Sequence, residues 1–231
     1  MNIAVLLSGS GVYDGAEIHE SVLTLLALDE RGAHYQVFAP DKDQRQVINH
    51  LTGEEMSEKR NVLVESARIA RGDAKDLKTY RAADYDALVI PGGFGAAKNL
   101  NEWAFNGPDG AIDADVKRAV LETVEAGKPI AALCMGPTVV AKALEGSGHH
   151  AELTVGTTAE KSPYDIAGIA AGLEKTGAKP VMKTMREVHT DAKLHIVTAP
   201  CYMMEGRITD VKKNVEAAVH ELVRLISKTA V

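Results

Sequence analysis

NIAVLLS at residues 2–8, followed directly by GSGVYDG at residues 9–15, is the stretch that decides the fold class. A near-continuous apolar run of this length is typical of a strand that is buried on both faces of a parallel sheet. The glycine-rich turn then leads into a helical pattern at residues 17–31, which ends at Gly32. A strand, a turn and a helix in this order predict an α/β protein.

The same order of elements recurs along the rest of the chain. It predicts strands at residues 35–39, 87–90, 129–133, 153–155, 178–182 and 195–199, and helices at residues 60–71, 113–126, 163–176 and 209–228. A further helix is predicted to begin near Pro137, because proline is favoured in a first helical turn. The alternation predicts right-handed crossovers and a doubly wound, mostly parallel sheet, and no linker divides residues 1–231 into two domains.

The composition excludes several classes of protein. Lys and Arg number 26 against 32 Asp and Glu, a net charge of −6, whereas a nucleic-acid-binding protein would present a basic surface. No apolar run approaches the ~18 residues of a membrane span, and no basic leader typical of a signal peptide precedes the first strand. The two cysteines cannot form a disulfide framework, so we expect a reducing compartment: the cytoplasm, or an organelle matrix if a leader has been removed.

Three segments that contain glycine-rich turns or candidate functional residues follow the ends of predicted strands, at residues 8–17, 91–95 and 134–137. In a doubly wound sheet, ligands bind beyond the carboxyl ends of the strands, near the point where the strand order reverses. We therefore expect the three segments to converge on one site, although they lie far apart in the sequence.

Cys134 lies between a predicted strand and a predicted helix, in the sequence ALCMG at residues 132–136. A nucleophile elbow has this arrangement, because a sharp turn exposes the side chain and small neighbours relieve the strain. The N-terminus of the following helix is expected to lower the pKa of the thiol and to supply N–H groups. The alternative is a buried, unreactive cysteine, as most free cysteines are.

Two further features could complete a site around Cys134. Glu17 opens the first helix and could act near the sulfur as a general acid or base, or it could simply compensate the helix dipole. PGGFG at residues 91–95 is either a tight loop or an oxyanion cradle, in which the N–H groups of Gly93 and Met135 point at one oxygen.

Four blocks of sequence resemble those of the ThiJ/PfpI superfamily, relatives of the class I glutamine amidotransferases, and most closely its ElbB branch, once called sigma cross-reacting protein. The blocks are SGSGVYDGAEIHE at residues 8–20, NHLTGE at 49–54, PGGFGAAKNL at 91–100 and the elbow around Cys134. The resemblance implies a flavodoxin-like α/β sandwich, a homodimer, and no metal or organic cofactor. It also implies a glutathione-independent glyoxalase that converts glyoxal to glycolate, with methylglyoxal as a second candidate substrate.

The resemblance also assigns roles to residues of this chain. Cys134 matches the nucleophile and Glu17 the partner carboxylic acid, while Gly93 and Met135 match the backbone oxyanion donors. The remaining members of the predicted substrate-binding set are Gly92, Phe94 and Ser10. In the implied reaction the thiolate adds to an aldehyde carbon and the two N–H groups hold the oxyanion. Glu17 then moves a proton between the carbons, and water releases the hydroxy acid from a thioester.

One departure from the superfamily pattern bears on activity. Catalytic members often place a histidine beside the cysteine, from the loop after the following strand. Residues 155–159 read VGTTA here, and His149 and His150 precede that strand. Without this base the thiol lacks its usual activating partner, so slow turnover is one expected outcome. The alternatives are a redox or metabolite sensor that binds partners through the same cysteine, and a glutaminase, for which we find no histidine and acid after the elbow.

Four other candidate residues have structural interpretations. His19 and Glu20 follow Glu17, but neighbouring residues on a helix point in different directions, and a metal site built from them lacks further ligands. His50 either lines the pocket, reaches into it from a dimer partner, or packs a loop. Cys201 is interpreted as a thiol of the core.

Overall fold

A seven-stranded sheet lies at the centre of the computed structural model, which describes residues 1–229. Its strands, and two more that form a small separate sheet, are β1 (Asn2–Leu6), β2 (His34–Ala39), β3 (Ala74–Asp76), β4 (Ala87–Ile90), β5 (Ile130–Leu133), β6 (Glu152–Leu153), β7 (Lys179–Pro180), β8 (His189–Asp191) and β9 (Ile196–Ala199). The α-helices are α1 (Ile18–Asp29), α2 (Val62–Ile69), α3 (Trp103–Asn106), α4 (Ala114–Glu125), α5 (Gly136–Leu144), α6 (Ile166–Lys175) and α7 (Ile208–Thr229). No helix among the described residues combines the length and the apolar composition needed to cross a membrane.

The strand order of the central sheet is β3-β2-β1-β4-β5-β9-β8. Five neighbouring pairs are parallel, and the edge strand β8 runs antiparallel to β9. The order reverses between β1 and β4, which pair directly although β2 and β3 separate them in the chain. Helix α1 packs on α7, and α4 packs on α5. The predicted doubly wound, mostly parallel α/β fold is therefore confirmed.

The central strands explain the apolar runs of the sequence. Every residue of β4, β5 and β9 is buried, as is every residue of β1 except Asn2. Because helices cover both faces of a parallel sheet, neither face of these strands meets water, and their sequences show no alternation of apolar and polar residues.

The sequence predicts neither β3 nor β8, because both are short edge strands with polar residues. The strands predicted at residues 153–155 and 178–182 form instead the separate sheet of β6 and β7, with two residues in each strand. Just after β6, the N–H of Thr154 donates to the side-chain hydroxyl of Thr198 in β9 (3.0 Å) rather than to a backbone carbonyl of β7.

The carboxyl ends of β1, β4, β5 and β9 meet at one edge of the sheet. The register pairs Ile90 with Ala132 and Leu133 with Ala199, so the segments that follow β4, β5 and β9 begin side by side. This edge, at the point where the strand order reverses, is where the doubly wound fold places a ligand.

Candidate active site

Backbone hydrogen bonds join the glycine-rich loops that follow β1 and β4. The N–H of Glu17 donates to the carbonyl of Gly92 (2.9 Å), and the N–H of Gly95 donates to the carbonyl of Gly15 (2.8 Å). A Cβ added to Gly95 would lie 2.5 Å from the Cα of Gly15, so the absence of a side chain there lets the two loops pack together. Two of the three segments that the sequence predicts to converge therefore lie in direct contact.

Gly93 lies where these loops are closest, and its φ is 95°. A Cβ added there would lie 2.4 Å from both the nitrogen of Glu17 and the carbonyl oxygen of Gly15. We expect Gly93→Ala to lower the free energy of unfolding by roughly 3 kcal/mol or more, because backbone atoms cannot move aside as a flexible side chain can. Denaturant unfolding of the purified variant measures this loss.

Gly72 provides a matched control for this prediction. Its φ is 91°, but an added Cβ would meet nothing within 4 Å. The substitution Gly72→Ala therefore introduces the backbone strain alone, about 1 kcal/mol. Equal losses in the two variants would contradict the close loop contact at Gly93.

Cys134 directly follows β5 in a left-handed backbone conformation, with φ 56°. This is the strained turn of a nucleophile elbow. A Cβ added to Gly92 would lie 2.8 Å from the sulfur, so a glycine at this position leaves room for the thiol. The N–H groups of Gly93 and Met135 lie near the sulfur and act to lower the pKa of the thiol. The two groups predicted as oxyanion donors therefore lie beside the sulfur of Cys134.

The carboxyl that contacts Cys134 belongs to Glu20. Its side chain is fully buried, and a Cβ added to Gly92 would lie 2.7 Å from its Oε2 and 2.8 Å from the sulfur of Cys134, so the carboxyl and the thiol are neighbours. Oε2 of Glu20 accepts the N–H of Gly92 (3.0 Å), and Oε1 accepts the N–H of Tyr202 (3.2 Å). One carboxyl therefore connects the segments that follow β4, β5 and β9.

Glu17 lies at the N-cap of α1, where its Oε2 accepts the N–H of Glu20 (2.7 Å). It lines the same cavity as Cys134, and burial raises the pKa of its carboxyl above the ordinary value. Residues three apart share one face of a helix, so Glu17 and Glu20 both point towards the site. The interpretation of Glu20 as a residue that points elsewhere is therefore wrong, and this spacing was the signal that could have identified it.

Burial dominates the electrostatics of the pair formed by Glu20 and Cys134. Burial and then the charge of Glu17 raise the pKa of Glu20 from 4.5 to about 8, so this carboxyl holds its proton near neutral pH. Burial and then the charge of Glu20 raise the pKa of the Cys134 thiol above its usual range, although the N–H groups of Gly93 and Met135 act to lower it. The lowered thiol pKa expected from the helix N-terminus is wrong, because desolvation outweighs the helix dipole.

A cavity of about 250 Å³ opens beside the sulfur. Cys134, Glu17, Gly93 and Met135 all line it. Most of the remaining wall is apolar or aromatic and includes Val12, Phe94, Trp103, Tyr164, Ile169 and Met203. The cavity can therefore hold a small molecule against the thiol, two backbone donors and a carboxyl.

The other predicted binding residues divide between those at the cavity and those away from it. Phe94 lines the cavity, and Gly92 borders the sulfur and donates its N–H to Glu20. Ser10 is not among the residues of the cavity wall. The assignment of Ser10 to substrate binding therefore has no support from the geometry.

In the part of the chain that the structure describes, no histidine lines the cavity. His50 stacks on the ring of Tyr13, with 4.9 Å between the ring centroids, and its Nε2 accepts the N–H of Tyr13 (3.2 Å). Nδ1 of His19 is hydrogen-bonded to the hydroxyl of Tyr202 (2.8 Å) at a neighbouring surface cleft. Neither imidazole takes the place of the histidine found beside the cysteine in catalytic members of the superfamily.

Cys201 is a second buried thiol near the same edge of the sheet. It has a left-handed backbone with φ 46°, and its N–H donates to Oδ1 of Asn214 (2.9 Å). It is absent from the cavity wall. Within residues 1–229, no group of three or more His, Cys, Asp or Glu side chains is arranged to hold a metal ion.

Comparison with known proteins supports a relationship over nearly the whole chain. A human protein named glutamine amidotransferase-like class 1 domain-containing protein 3, mitochondrial, is 44% identical over 98% of this chain and 84% of its own length. The mitochondrial ES1 protein of Danio rerio is 31% identical over 88% of this chain and 77% of its own length.

The cytoplasmic location expected from the sequence is wrong in the light of these mitochondrial relatives.

Solved structures show the same architecture. A protein from Ehrlichia chaffeensis, described as an isoprenoid biosynthesis protein with an amidotransferase-like domain, superposes with a TM-score of 0.88 at 34% identity, covering 98% of this chain and 99% of that one. DJ-1beta of Drosophila melanogaster superposes with a TM-score of 0.52 at 18% identity, covering 100% of this chain and 97% of that one, which supports the fold alone. The family model described as DJ-1/PfpI matches residues 10–201, which include the loops, the elbow and both buried carboxyls. The chain belongs to the DJ-1/PfpI family.

Proposed function

We propose that this protein is a cofactor-free glyoxalase that converts glyoxal, and methylglyoxal as a second substrate, to the corresponding hydroxy acid. The observation that carries the proposal is the meeting of one thiol, two backbone N–H donors and two buried carboxyls at a single cavity. A thiol that adds to a carbonyl needs a donor for the oxygen that becomes charged and a group that moves protons. All of these groups lie within contact of Cys134 or of its cavity.

The reaction begins when the sulfur of Cys134 forms a bond to an aldehyde carbon and the carbonyl oxygen takes up a proton. The N–H groups of Gly93 and Met135 stabilise the charge on that oxygen while it develops. The hydrogen on this carbon leaves as a proton and returns to the neighbouring carbon, which converts the adduct into a thioester. Water then cleaves the thioester, which releases glycolate and restores the thiol. The net change is the addition of one water, so the reaction requires neither an oxidant nor a reductant.

The two carboxyls would have different roles in this scheme. Glu20 is fully buried and contacts the sulfur, so it exchanges a proton with the thiol. Glu17 lines the cavity, where a bound substrate could reach it, so it moves the proton between the two carbons. Since no histidine lines the cavity among the described residues, we assign the proton transfer to the two carboxyls, and we expect turnover to be slow.

The test is the formation of glycolate from glyoxal in a buffer that contains neither glutathione nor any other thiol. Proton NMR follows both compounds directly. We expect glycolate to accumulate in proportion to the protein concentration, and glutamine under the same conditions to release no ammonia. Glycolate at the level of the protein-free buffer would reject the proposal. Assembly as a homodimer stays a prediction of the family resemblance, and light scattering would check it by measuring twice the 24.6 kDa of one chain.

A further inference from the structure

We propose that the natural substrate carries a neutral, apolar group of about the size of a phenyl ring next to its reactive carbonyl. This inference rests on the proposed function, because it places the carbonyl of the substrate at Cys134. It goes beyond that function by naming the substrate class as bulky α-oxoaldehydes of the aryl or branched alkyl type. The observations that carry it are the size, the lining and the charge of the cavity.

The size of the cavity exceeds what glyoxal requires. Its volume is about 250 Å³, whereas an apolar protein cavity of about 150 Å³ is large enough to bind benzene. Glyoxal has only two carbons and two oxygens, so it would leave most of this space without contacts. A ring attached to the α-oxoaldehyde would fill that space and bury its apolar surface.

The wall of the cavity is rigid as well as apolar. The indole of Trp103 packs on Gly172 of α6, where an added Cβ would lie 2.7 Å from the ring. Phe94 and Tyr164 meet edge to face, with 5.6 Å between their ring centroids. Ile169 projects from the same helix as Gly172 and lines the cavity beside these rings. Side chains that support one another in this way keep a preformed space for an apolar group.

The charges around the cavity argue against an anionic substrate. Glu17 is the one charged side chain in the wall of the cavity, as far as the structure describes the chain. The ammonium group of Lys98 lies outside this wall and donates to the carbonyl of Tyr13 (2.9 Å). A carboxylate or phosphate on the substrate would therefore lose its hydration next to an acidic side chain and gain no cation in return. A neutral group has no such cost.

Phenylglyoxal is the probe that tests this inference. It would follow the steps given for glyoxal and add one water to become mandelate, so no further reactant is required. We expect kcat/KM for phenylglyoxal to exceed that for glyoxal by tenfold or more, because a single well-packed methylene already changes kcat/KM by about tenfold. Ile169→Asn should reduce this ratio at least tenfold, because a polar side chain in the wall disfavours the ring. Ile208→Asn makes the same change at an exposed position at the start of α7 and should leave the ratio unchanged.

A binding measurement separates this inference from the proposed chemistry. Trp103 is the single tryptophan of the chain, so its fluorescence reports directly on the cavity wall. In a Cys134→Ala variant, which cannot form an adduct, benzyl alcohol should change this fluorescence with saturation, and ethylene glycol should not. If the fluorescence change with benzyl alcohol saturates but the parent protein turns over neither glyoxal nor phenylglyoxal, the proposed function is rejected and the apolar ligand site is retained. A response to benzyl alcohol that does not saturate, or equal kcat/KM values for the two aldehydes, would overturn the inference itself.

Discussion

Replacing Cys134 with alanine is expected to lower the rate of glycolate formation from glyoxal by roughly a thousandfold or more, the scale seen when a covalent nucleophile is removed. The sulfur lies beside the N–H groups of Gly93 and Met135 and the Glu20 carboxyl, and alanine supplies no nucleophile in its place. The variant should fold, because alanine removes only the sulfur and the left-handed backbone is already fixed by the elbow. Glycolate measured by NMR at equal protein concentrations gives the comparison.

Cys201→Ala is the matched control for the loss of a buried thiol. Cys201 is also fully buried and left-handed, but it lies outside the cavity wall. We expect this variant to keep the rate of the parent protein within about twofold. If Cys134→Ala retained the parental rate, covalent catalysis would be excluded, and the alternative of a sensor that binds partners through this cysteine would gain support.

The second large effect concerns stability and pH. The pKa of Glu20 is raised from 4.5 to about 8 in the folded protein, so between these values the folded state holds a proton that the unfolded state has lost. The stabilising contribution of this proton is complete below about pH 4.5 and is lost as the pH rises through about 8. The free energy of unfolding should therefore fall as the pH rises across this window, by roughly 1 kcal/mol per pH unit.

Glu20→Gln should remove most of this slope, because an amide does not titrate. Denaturant unfolding from pH 5 to pH 8 gives the slope for each protein. The amide nitrogen of the introduced glutamine would face a backbone N–H at Gly92 or Tyr202, which would cost about 1–3 kcal/mol at every pH. The two proteins should therefore be compared by the pH dependence of their stability, not by their absolute stability. Glu30→Gln, which changes an exposed carboxylate at the other end of the same helix, should retain the parental slope. Parallel curves for the parent protein and Glu20→Gln would mean that Glu20 is ionised in the folded state.

The sequence predicts the central strands well because each of them can be identified from its own residues. Strands such as β4 and β5 are buried on both faces, so their apolar runs identify them without knowledge of their neighbours. Edge strands such as β3 carry polar residues, and only their pairing with an existing sheet makes them strands. The three residues of β3 carry no sequence pattern that predicts this pairing.

Some residues of the candidate site can likewise be predicted from a local sequence pattern, whereas others depend on the tertiary structure. Cys134, Gly93 and Met135 could be identified from the strand-turn-helix pattern, which fixes their positions locally. The choice between Glu17 and Glu20 could not be made in this way, because both face the sheet and only the packing of α1 decides which carboxyl reaches the sulfur. The aromatic character of the cavity is also a property of the tertiary structure, since Trp103 and Ile169 come from separate helices.

The main-chain contacts between the loops after β1 and β4 have a consequence for how this protein can change under selection. The N–H of Gly93, one of the two donors near the sulfur, belongs to loops that hold one another through their own N–H and carbonyl groups. The wall that faces a ligand consists of side chains from other parts of the chain, such as Trp103 and Ile169. Mutations in that wall can alter which molecules are accepted without displacing the reacting groups. Directed evolution towards a new carbonyl compound should therefore accumulate its changes in α3 and α6 and leave the glycine loops untouched.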